Sequence, residues 1–372
     1  MKTARVVDVK GVHQAMATAR LDAIIANSPV NVWYLSGYPL ALSGLQGRGY
    51  GRNASVVVPA GREPILVPGR FEEQITRARA WVTDIEPFND YVEVPVAAAA
   101  EVMRRRGVPH GRVGVELEHL SERFMRALRQ ALPGTELVAA DETLDGLRAV
   151  KSPTEIEGME SALKRAAKGA MDGLTGARAG QREFEVHTRI VGSLVRALWS
   201  EKVDGSTLSG PRTMLWNGQS GGRLLAPGNW VRLDYTCAAA SFAVRICRMG
   251  TVGQPSSAQA DLFSRYTKGV REALSRLRAG VTGAKAHGLF AESLGAQKVR
   301  VVDGALGYGL GYGPVERPLL APSETWTLAP GMMLSVEPPT IDGLQASWLV
   351  LVTGTGVRVV DSPFPPEKLF TI

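Results

Sequence analysis

The sequence is poor in the residues that mark disulfide-rich or metal-binding proteins: among 372 residues it has two cysteines and five histidines. Cys237 and Cys247 are too few for a disulfide framework, and they form no CxxC metal motif. No apolar run approaches the roughly 18 residues of a membrane-spanning helix. The first 25 residues lack the apolar core of a signal peptide, which predicts a cytoplasmic protein with no membrane partner.

The charge of the chain is moderately basic, with 43 Lys and Arg against 36 Asp and Glu and a net charge of +7. The basic residues are scattered along the sequence apart from Arg104–Arg106, and no nucleic-acid-binding motif accompanies them. A solvated basic surface therefore explains the charge better than nucleic-acid binding does.

The first 145 residues alternate short apolar segments with amphipathic ones, which is typical of a small α/β domain. Strands are predicted at 21–26, 54–60, 64–68 and 111–117. Helices are predicted at Val9–Arg20, Phe71–Ala80, Val92–Arg106 and Ser121–Leu132.

A second domain is predicted to begin at the segment 149–167, so that the domains are 1–148 and 149–372. Ser152, Pro153 and Glu155 have the pattern of a capping box with proline at the first helical position. Further helices are predicted at 181–199, 256–278 and 282–294, a strand hairpin at 229–253, and strands at 332–340 and 347–360 that complete a sheet.

Several motifs resemble the pita-bread enzymes creatinase, aminopeptidase P, prolidase and methionine aminopeptidase. They are NSPVNVWYLSGYP (27–39), VRLDYT around Asp234, the glycine-rich phrase at 307–311, and APGMMLSVEPP around Glu337. The resemblance implies a fold of class α/β + α+β, in which a small creatinase-like N-terminal α/β domain precedes a C-terminal pita-bread domain. It also implies a homodimer.

The peptidases of this family hold two divalent metal ions with two Asp, one His and two Glu. The resemblance places those ligands at five positions, which in this sequence are Asp234, Arg245, Tyr308, Glu337 and Ser347. Only two of them keep the family's residue. Two further family histidines match Trp216 and Val315.

These replacements predict a site without metal or other cofactor. Two carboxylates cannot complete the coordination of an oxygen-bound cation, and two buried carboxylates facing each other repel. A guanidinium offers a fixed charge and a bidentate fork. We therefore expect Arg245 to form an ion pair with Asp234, Glu337 or both.

The residues of this site have two interpretations. In an enzyme, Glu337 or Asp234 is the predicted base and Tyr308 the predicted acid, while Arg245 holds a substrate carboxylate or a developing anion. Alternatively, the two carboxylates serve only to neutralise Arg245.

Three further residues are candidates for substrate binding. Trp216 and Tyr312 line a pocket in one interpretation and fill the core in the other. Glu316 belongs either to the site or to a salt bridge with Arg212, Arg223 or Arg317. His187 and His287 fall on predicted helices, away from the hairpin.

The functional hypothesis from the sequence is a metal-independent, creatinase-like enzyme of bacterial specialised metabolism. It would act on a small amino-acid-derived or carboxylate-bearing molecule by C–N hydrolysis, elimination, dehydration or cyclisation. The first alternative is a non-catalytic binding module. The second is a metallo-aminopeptidase or prolidase with displaced ligands, which is disfavoured because no histidine lies between 188 and 286 or after 287.

Overall fold

The computed structural model describes residues 5, 7–38, 54–199, 203–239 and 242–372. The chain divides into two compact units, Met1–Arg148 and Ala149–Ile372, which we call unit 1 and unit 2. Pro39 of the first motif and residues 240 and 241 of the predicted hairpin lie outside the described residues. In the described part of the chain, no helix is both long and apolar enough to span a bilayer.

Unit 1 contains a five-stranded sheet with the order β3-β2-β1-β4-β5. Strand β1 pairs antiparallel with β2 and parallel with β4, so the sheet is mixed. Its strands are β1 Ala23–Ala26, β2 Ala54–Pro59, β3 Ile65–Pro68, β4 Arg112–Val115 and β5 Glu136–Ala139. Its helices are α1 Val9–Thr18, α2 Pro29–Ser36, α3 Glu73–Arg79, α4 Pro95–Arg105, α5 Glu122–Ala131 and α6 Asp141–Ala149.

The motif at 27–39 forms helix α2, which the sequence did not predict as a helix. The side chain of Ser28 caps its first turn, and Gly37 ends it with a left-handed φ of 70°. The buried Glu116 accepts hydrogen bonds from the backbone of Asn27 and Ser28 and from the side chain of Asn31. A carboxylate at a helix N-terminus is favourable, which explains the local role of this motif.

Unit 2 contains two pairs of packed helices, α7 Pro153–Leu174 with α8 Glu183–Leu198 and α9 Ser257–Arg276 with α10 Gly283–Ala296. The predicted capping box of Ser152 and Glu155 is present at the start of α7. Gly169 and Gly269 bring their helices close to the partner helix: an added Cβ would lie 3.3 Å from Ser193 O and 3.2 Å from Ser293 O, respectively. The two helix pairs are therefore built alike.

Two sheets complete unit 2. The first has the order β14-β8-β7-β6 and the second the order β10-β9-β11-β12-β13. The strands are β6 Val203–Ser209, β7 Trp230–Ala239, β8 Phe242–Thr251, β9 Gly307–Gly309, β10 Glu316–Leu319, β11 Met333–Val336, β12 Trp348–Val352, β13 Val357–Val359 and β14 Phe370–Thr371. The predicted strands at 332–340 and 347–360 pair with each other as β11 and β12, and the sheet they complete is the second one rather than that of the hairpin.

The two sheets of unit 2 meet at Cys247 and Ser347. The backbone N–H of Cys247 donates to Ser347 Oγ at 2.9 Å, and the Ser347 N–H donates to the Cys247 carbonyl at 3.1 Å. This contact places the end of β11 beside the β7–β8 hairpin. Carboxylates from two different sheets can consequently converge.

Candidate functional site

One face of the β7–β8 hairpin carries the residues that the sequence singled out. Asp234 pairs with Cys247 in the antiparallel ladder, and Thr236 pairs with Arg245. Because side chains alternate along a strand and directly paired residues point to the same side, these four residues share one face. Glu337 follows β11 immediately and reaches the same face from the other sheet.

Arg245 holds the centre of this face with all three of its guanidinium nitrogens. Nε donates to Glu337 Oε2 at 2.8 Å, Nη2 to Asp234 Oδ2 at 3.1 Å, and Nη1 to Thr236 Oγ1 at 3.0 Å. Asp234 Oδ1 also lies 2.9 Å from Nη2, but it accepts no hydrogen bond of good geometry from the described residues. Both predicted ion pairs of Arg245 are present.

Burial and charge decide the protonation of this group. Burial raises the pKa of Glu337, the positive charge of Arg245 opposes that rise, and Asp234 adds to it. Burial works against the charged form of Arg245, but Glu337 and Asp234 outweigh it and hold its pKa well above the ordinary value. Arg245 is therefore a permanent cation between two carboxylates, and its side chain is 21% exposed.

Tyr308 joins the group through a hydrogen bond to Glu337. It lies on β9 opposite Ser335 of β11, so the sheet holds it beside the end of that strand. Burial raises the pKa of its phenol far above the usual value, and the charge of Glu337 adds to the effect. Tyr308 is thus a neutral donor. We call Arg245, Asp234, Glu337, Thr236 and Tyr308 the Arg245 cluster.

Ser347, at the last of the five ligand positions, has a structural role. It is buried, and its hydroxyl donates to the Arg245 carbonyl at 3.3 Å while accepting from the Cys247 backbone. Burial raises the pKa of the Cys247 thiol, which donates to the Gln345 carbonyl at 3.1 Å. Both side chains connect the two sheets.

Trp216 lies on an arginine that the sequence analysis missed. The guanidinium of Arg232 is 4.6 Å from the centre of the indole ring. Arg232 belongs to β7, two residues before Asp234, and is fully buried. The signal that could have identified it is its place two residues before Asp234, which puts both side chains on one face of the strand.

Tyr312 and Glu316 contact residues outside the Arg245 cluster. Tyr312 is buried and packs against Phe242, with ring centres 5.4 Å apart. Glu316 accepts a 2.8 Å hydrogen bond from Lys151, and both side chains are buried. The predicted arginine partners of Glu316 were wrong, because Arg212 pairs with Glu183, Arg223 with Asn229, and Arg317 with Glu324.

His187 does reach the hairpin, contrary to the sequence prediction. Its Nδ1 lies 3.0 Å from the hydroxyl of Tyr235, which also lies 2.8 Å from Thr207 Oγ1. Burial lowers the pKa of His187. Tyr235 neighbours Asp234 on β7 and therefore points to the opposite face from the Arg245 cluster.

The residues of the cluster do not fit a divalent metal ion. The guanidinium of Arg245 lies between the two carboxylates that such an ion would need, and like charges at this separation repel strongly in a buried site. Within the described ranges, no group of three or more His, Cys, Asp or Glu side chains is arranged to hold a metal ion.

Family models identify both parts of the chain. Residues 9–150 match the Creatinase/Prolidase N-terminal domain, and residues 157–362 match Metallopeptidase family M24. The chain belongs to metallopeptidase family M24. The pita-bread resemblance and the predicted fold class, with a creatinase-like domain before the pita-bread domain, are confirmed. Membership places the chain in a family of hydrolytic enzymes.

Relatives in family M24 match over nearly the whole chain. An Xaa-Pro dipeptidase of Pyrococcus furiosus is 24% identical over 91% of this chain and 92% of its own. The structure of an Xaa-Pro dipeptidase from Bacillus anthracis is similar with a TM-score of 0.82, at 20% identity over 98% of this chain and 99% of its own. That of an X-Pro aminopeptidase from Thermotoga maritima has a TM-score of 0.85, at 18% identity over the same shares.

The prediction of a metal-independent, creatinase-like enzyme was wrong. The relatives found by sequence and by structure are Xaa-Pro dipeptidases, prolidases and aminopeptidases, and they cover both units of the chain. The sequence hypothesis gave too much weight to creatinase, the metal-free enzyme among those that the sequence resembles. Roles for the individual residues of the Arg245 cluster stay predictions.

Proposed function

We propose that unit 2 recognises short peptides of the Xaa-Pro type, the class named in its relatives, at the Arg245 cluster. The observation that carries this proposal is the position of Arg245, which bridges Asp234 and Glu337 inside a fold shared with Xaa-Pro dipeptidases. The geometry supports recognition of the peptide and provides no metal-assisted step.

The cluster offers a peptide both kinds of hydrogen-bonding group. A guanidinium has five N–H donors, and three hydrogen bonds to Glu337, Asp234 and Thr236 leave two for a carbonyl or carboxylate oxygen. Asp234 Oδ1 has room for a donor, which a peptide supplies as an amide or ammonium N–H. Since Arg245 is partly exposed, a ligand can reach these groups from solvent.

The charges of the cluster also suit a zwitterionic ligand. With both carboxylates ionised, Asp234, Glu337 and Arg245 sum to one negative charge, which attracts an ammonium group. The guanidinium attracts the carboxylate at the other end of a short peptide. A long polypeptide lacks this pair of nearby terminal charges, so the proposal is restricted to short peptides.

Calorimetric titration of the full chain with L-alanyl-L-proline tests the proposal. We expect wild type to bind the dipeptide. Arg245→Met, which keeps an unbranched side chain and removes its charge, should lose at least tenfold in affinity. Arg276→Met is the matched control, because Arg276 pairs with Glu292 on the helical surface. Absence of binding by folded wild type, or equal binding by Arg245→Met, would overturn the proposal.

Hydrolysis of the same peptides is the second candidate. It is favoured by relatives named Xaa-Pro dipeptidase, which match over more than nine tenths of both chains. The two candidates differ in one result, because only hydrolysis releases free proline. The homodimer and the cytoplasmic location remain predictions, and analytical ultracentrifugation of the full chain tests the first.

A further inference from the structure

A buried arginine fastens the loop that carries Trp216. Arg232 is fully buried, and its Nη1 donates to the Thr213 carbonyl at 2.6 Å while Nη2 donates to the Leu215 carbonyl at 2.9 Å. The same guanidinium lies 4.6 Å from the indole of Trp216. One side chain thus fixes the backbone of two residues and the ring of a third.

This arginine and the Arg245 cluster stand on the same strand. Arg232 and Asp234 are two residues apart on β7, so their side chains share a face. Cys247 of β8 pairs with Asp234 and lies on that face as well. The loop is consequently held at a fixed position next to the cluster.

The loop presents apolar side chains that the protein leaves uncovered. Met214 and Leu215 are each 47% exposed, and Trp216 is half-buried. Burying a charged arginine beneath such a loop is costly. Two backbone carbonyls and an aromatic face offset part of that cost, while Nε donates to no partner among the described residues. A merely structural anchor does not require three consecutive apolar residues at the surface.

We infer that the segment 214–216 selects an apolar side chain of the bound peptide and that Arg232 is its positioning residue. The inference rests on the proposed function and adds its specificity: the Arg245 cluster binds the polar groups of the peptide, and Trp216 contacts an apolar side chain next to them. Burial of one such side chain against an aromatic wall is worth about a tenfold gain in affinity.

Titration with three dipeptides that differ by one apolar group tests this inference. Alanyl-glycine is the reference, alanyl-proline adds a ring at the second residue, and phenylalanyl-glycine adds one at the first. We expect at least one of the larger peptides to bind wild type about tenfold more tightly than alanyl-glycine. In Trp216→Ala this gain should fall to about twofold or less, and Trp216→Phe should restore most of it.

Arg232→Met should lose the same gain, because it removes the donors that hold the loop. Trp199→Ala, which truncates an exposed tryptophan at the end of α8, is the matched control and should keep the gain. If Arg232→Met fails to fold, the pair of Trp216 variants decides the question alone.

The outcomes distinguish a failure of this inference from a failure of the proposed function. If wild type binds none of the three peptides, the proposed function falls and the inference falls with it. If wild type binds all three equally, or if Trp216→Ala keeps the full gain, peptide recognition stands and the inference is overturned. Loss of the gain with unchanged affinity for alanyl-glycine supports it, since general damage to the fold would weaken all three peptides.

Discussion

Arg245 Nε lies 2.8 Å from Glu337 Oε2, and this ion pair joins strand β8 of one sheet to the end of β11 in the other. The two residues are 92 positions apart in the sequence. The pair places a positive charge among the positions at which the resemblance to the family predicts metal ligands.

Removal of the Arg245 charge should destabilise unit 2. Arg245→Met leaves Asp234 and Glu337 buried without a counter-ion, and loss of one partner of a buried ion pair costs about 3 kcal/mol. Protonation of the carboxylates relieves their repulsion, so the loss should be smaller at pH 5 than at pH 7.5. Urea unfolding at the two pH values measures it.

The surface variant Arg276→Met provides the comparison for this effect. Arg276 pairs with Glu292 in an exposed position, where an ion pair contributes little. A change of less than about 0.5 kcal/mol is expected for it at both pH values. An equally small change for Arg245→Met would mean that the cluster does not need its cation.

Arg245→Asp should convert the cluster into a binding site for a divalent ion. Three carboxylates would then face one another, and oxygen ligands of this kind suit Mn²⁺. Mn²⁺ should raise the thermal midpoint of Arg245→Asp, by an amount equivalent to about 2.7 kcal/mol at 100 times its Kd. Wild type, with its guanidinium in place, should show no shift under the same conditions.

A second substitution checks where the ion binds. Addition of Asp234→Asn to Arg245→Asp should abolish the Mn²⁺ shift, because Asp234 supplies one of the three carboxylates. A shift of equal size in wild type would show that Arg245 does not exclude metal from the site.

Tyr308→Phe should raise the pKa of Glu337 further. The hydrogen bond from Tyr308 opposes the rise that burial causes, and the substitution removes it. The expected loss of stability is about 1 kcal/mol, as for one buried hydrogen bond. Carboxyl resonances of Glu337 followed by NMR during a pH titration test the pKa, and an unchanged value would contradict the assigned bond.

His187 should make unit 2 less stable in mild acid. Burial lowers its pKa in the folded protein, with Asp204 opposing, so the unfolded chain binds a proton that the folded chain resists. Its contribution is therefore present above the unfolded value of about 6.5 and is lost as the pH falls through the window below it.

His187→Gln, which keeps an acceptor for Tyr235, should flatten the decline in thermal midpoint between pH 7.5 and pH 5.5. His287→Gln, on helix α10 of the same unit, is the control and should leave the slope unchanged. Equal slopes for wild type and His187→Gln would show that His187 does not cause the loss of stability in mild acid.

The sequence predicted the helices of unit 2 well because their ends are set by local chemistry. Ser152 and Glu155 form the expected capping box, and Ser256 with Gln259 forms another at the start of α9. Helix α2 was missed although Ser28 and Gly37 cap it locally, because six of its eight residues are buried and leave no amphipathic pattern in the sequence. Strand assignment to two sheets was missed because pairing partners are not encoded in local patterns.

The sequence predicted the part of the candidate site in which opposite charges allow few pairings. An arginine between two buried carboxylates has to pair with them, and Arg245 does. Long-range partners were not predictable in the same way, because several arginines could have satisfied Glu316 equally well. Lys151, 165 residues away, donates to it. The contact of Arg232 with Trp216 was missed for the same reason.

The release of proline from L-alanyl-L-proline tests the central claim most directly. Full-length wild type is incubated with the dipeptide in the presence of Mn²⁺, Co²⁺ or Zn²⁺, and free proline is quantified at dipeptide concentrations that calorimetry shows to saturate binding. The claim that Arg245 occupies the position of a metal ion predicts bound dipeptide and no metal-dependent proline release. Metal-dependent release that Asp234→Asn abolishes would contradict it and establish hydrolysis instead.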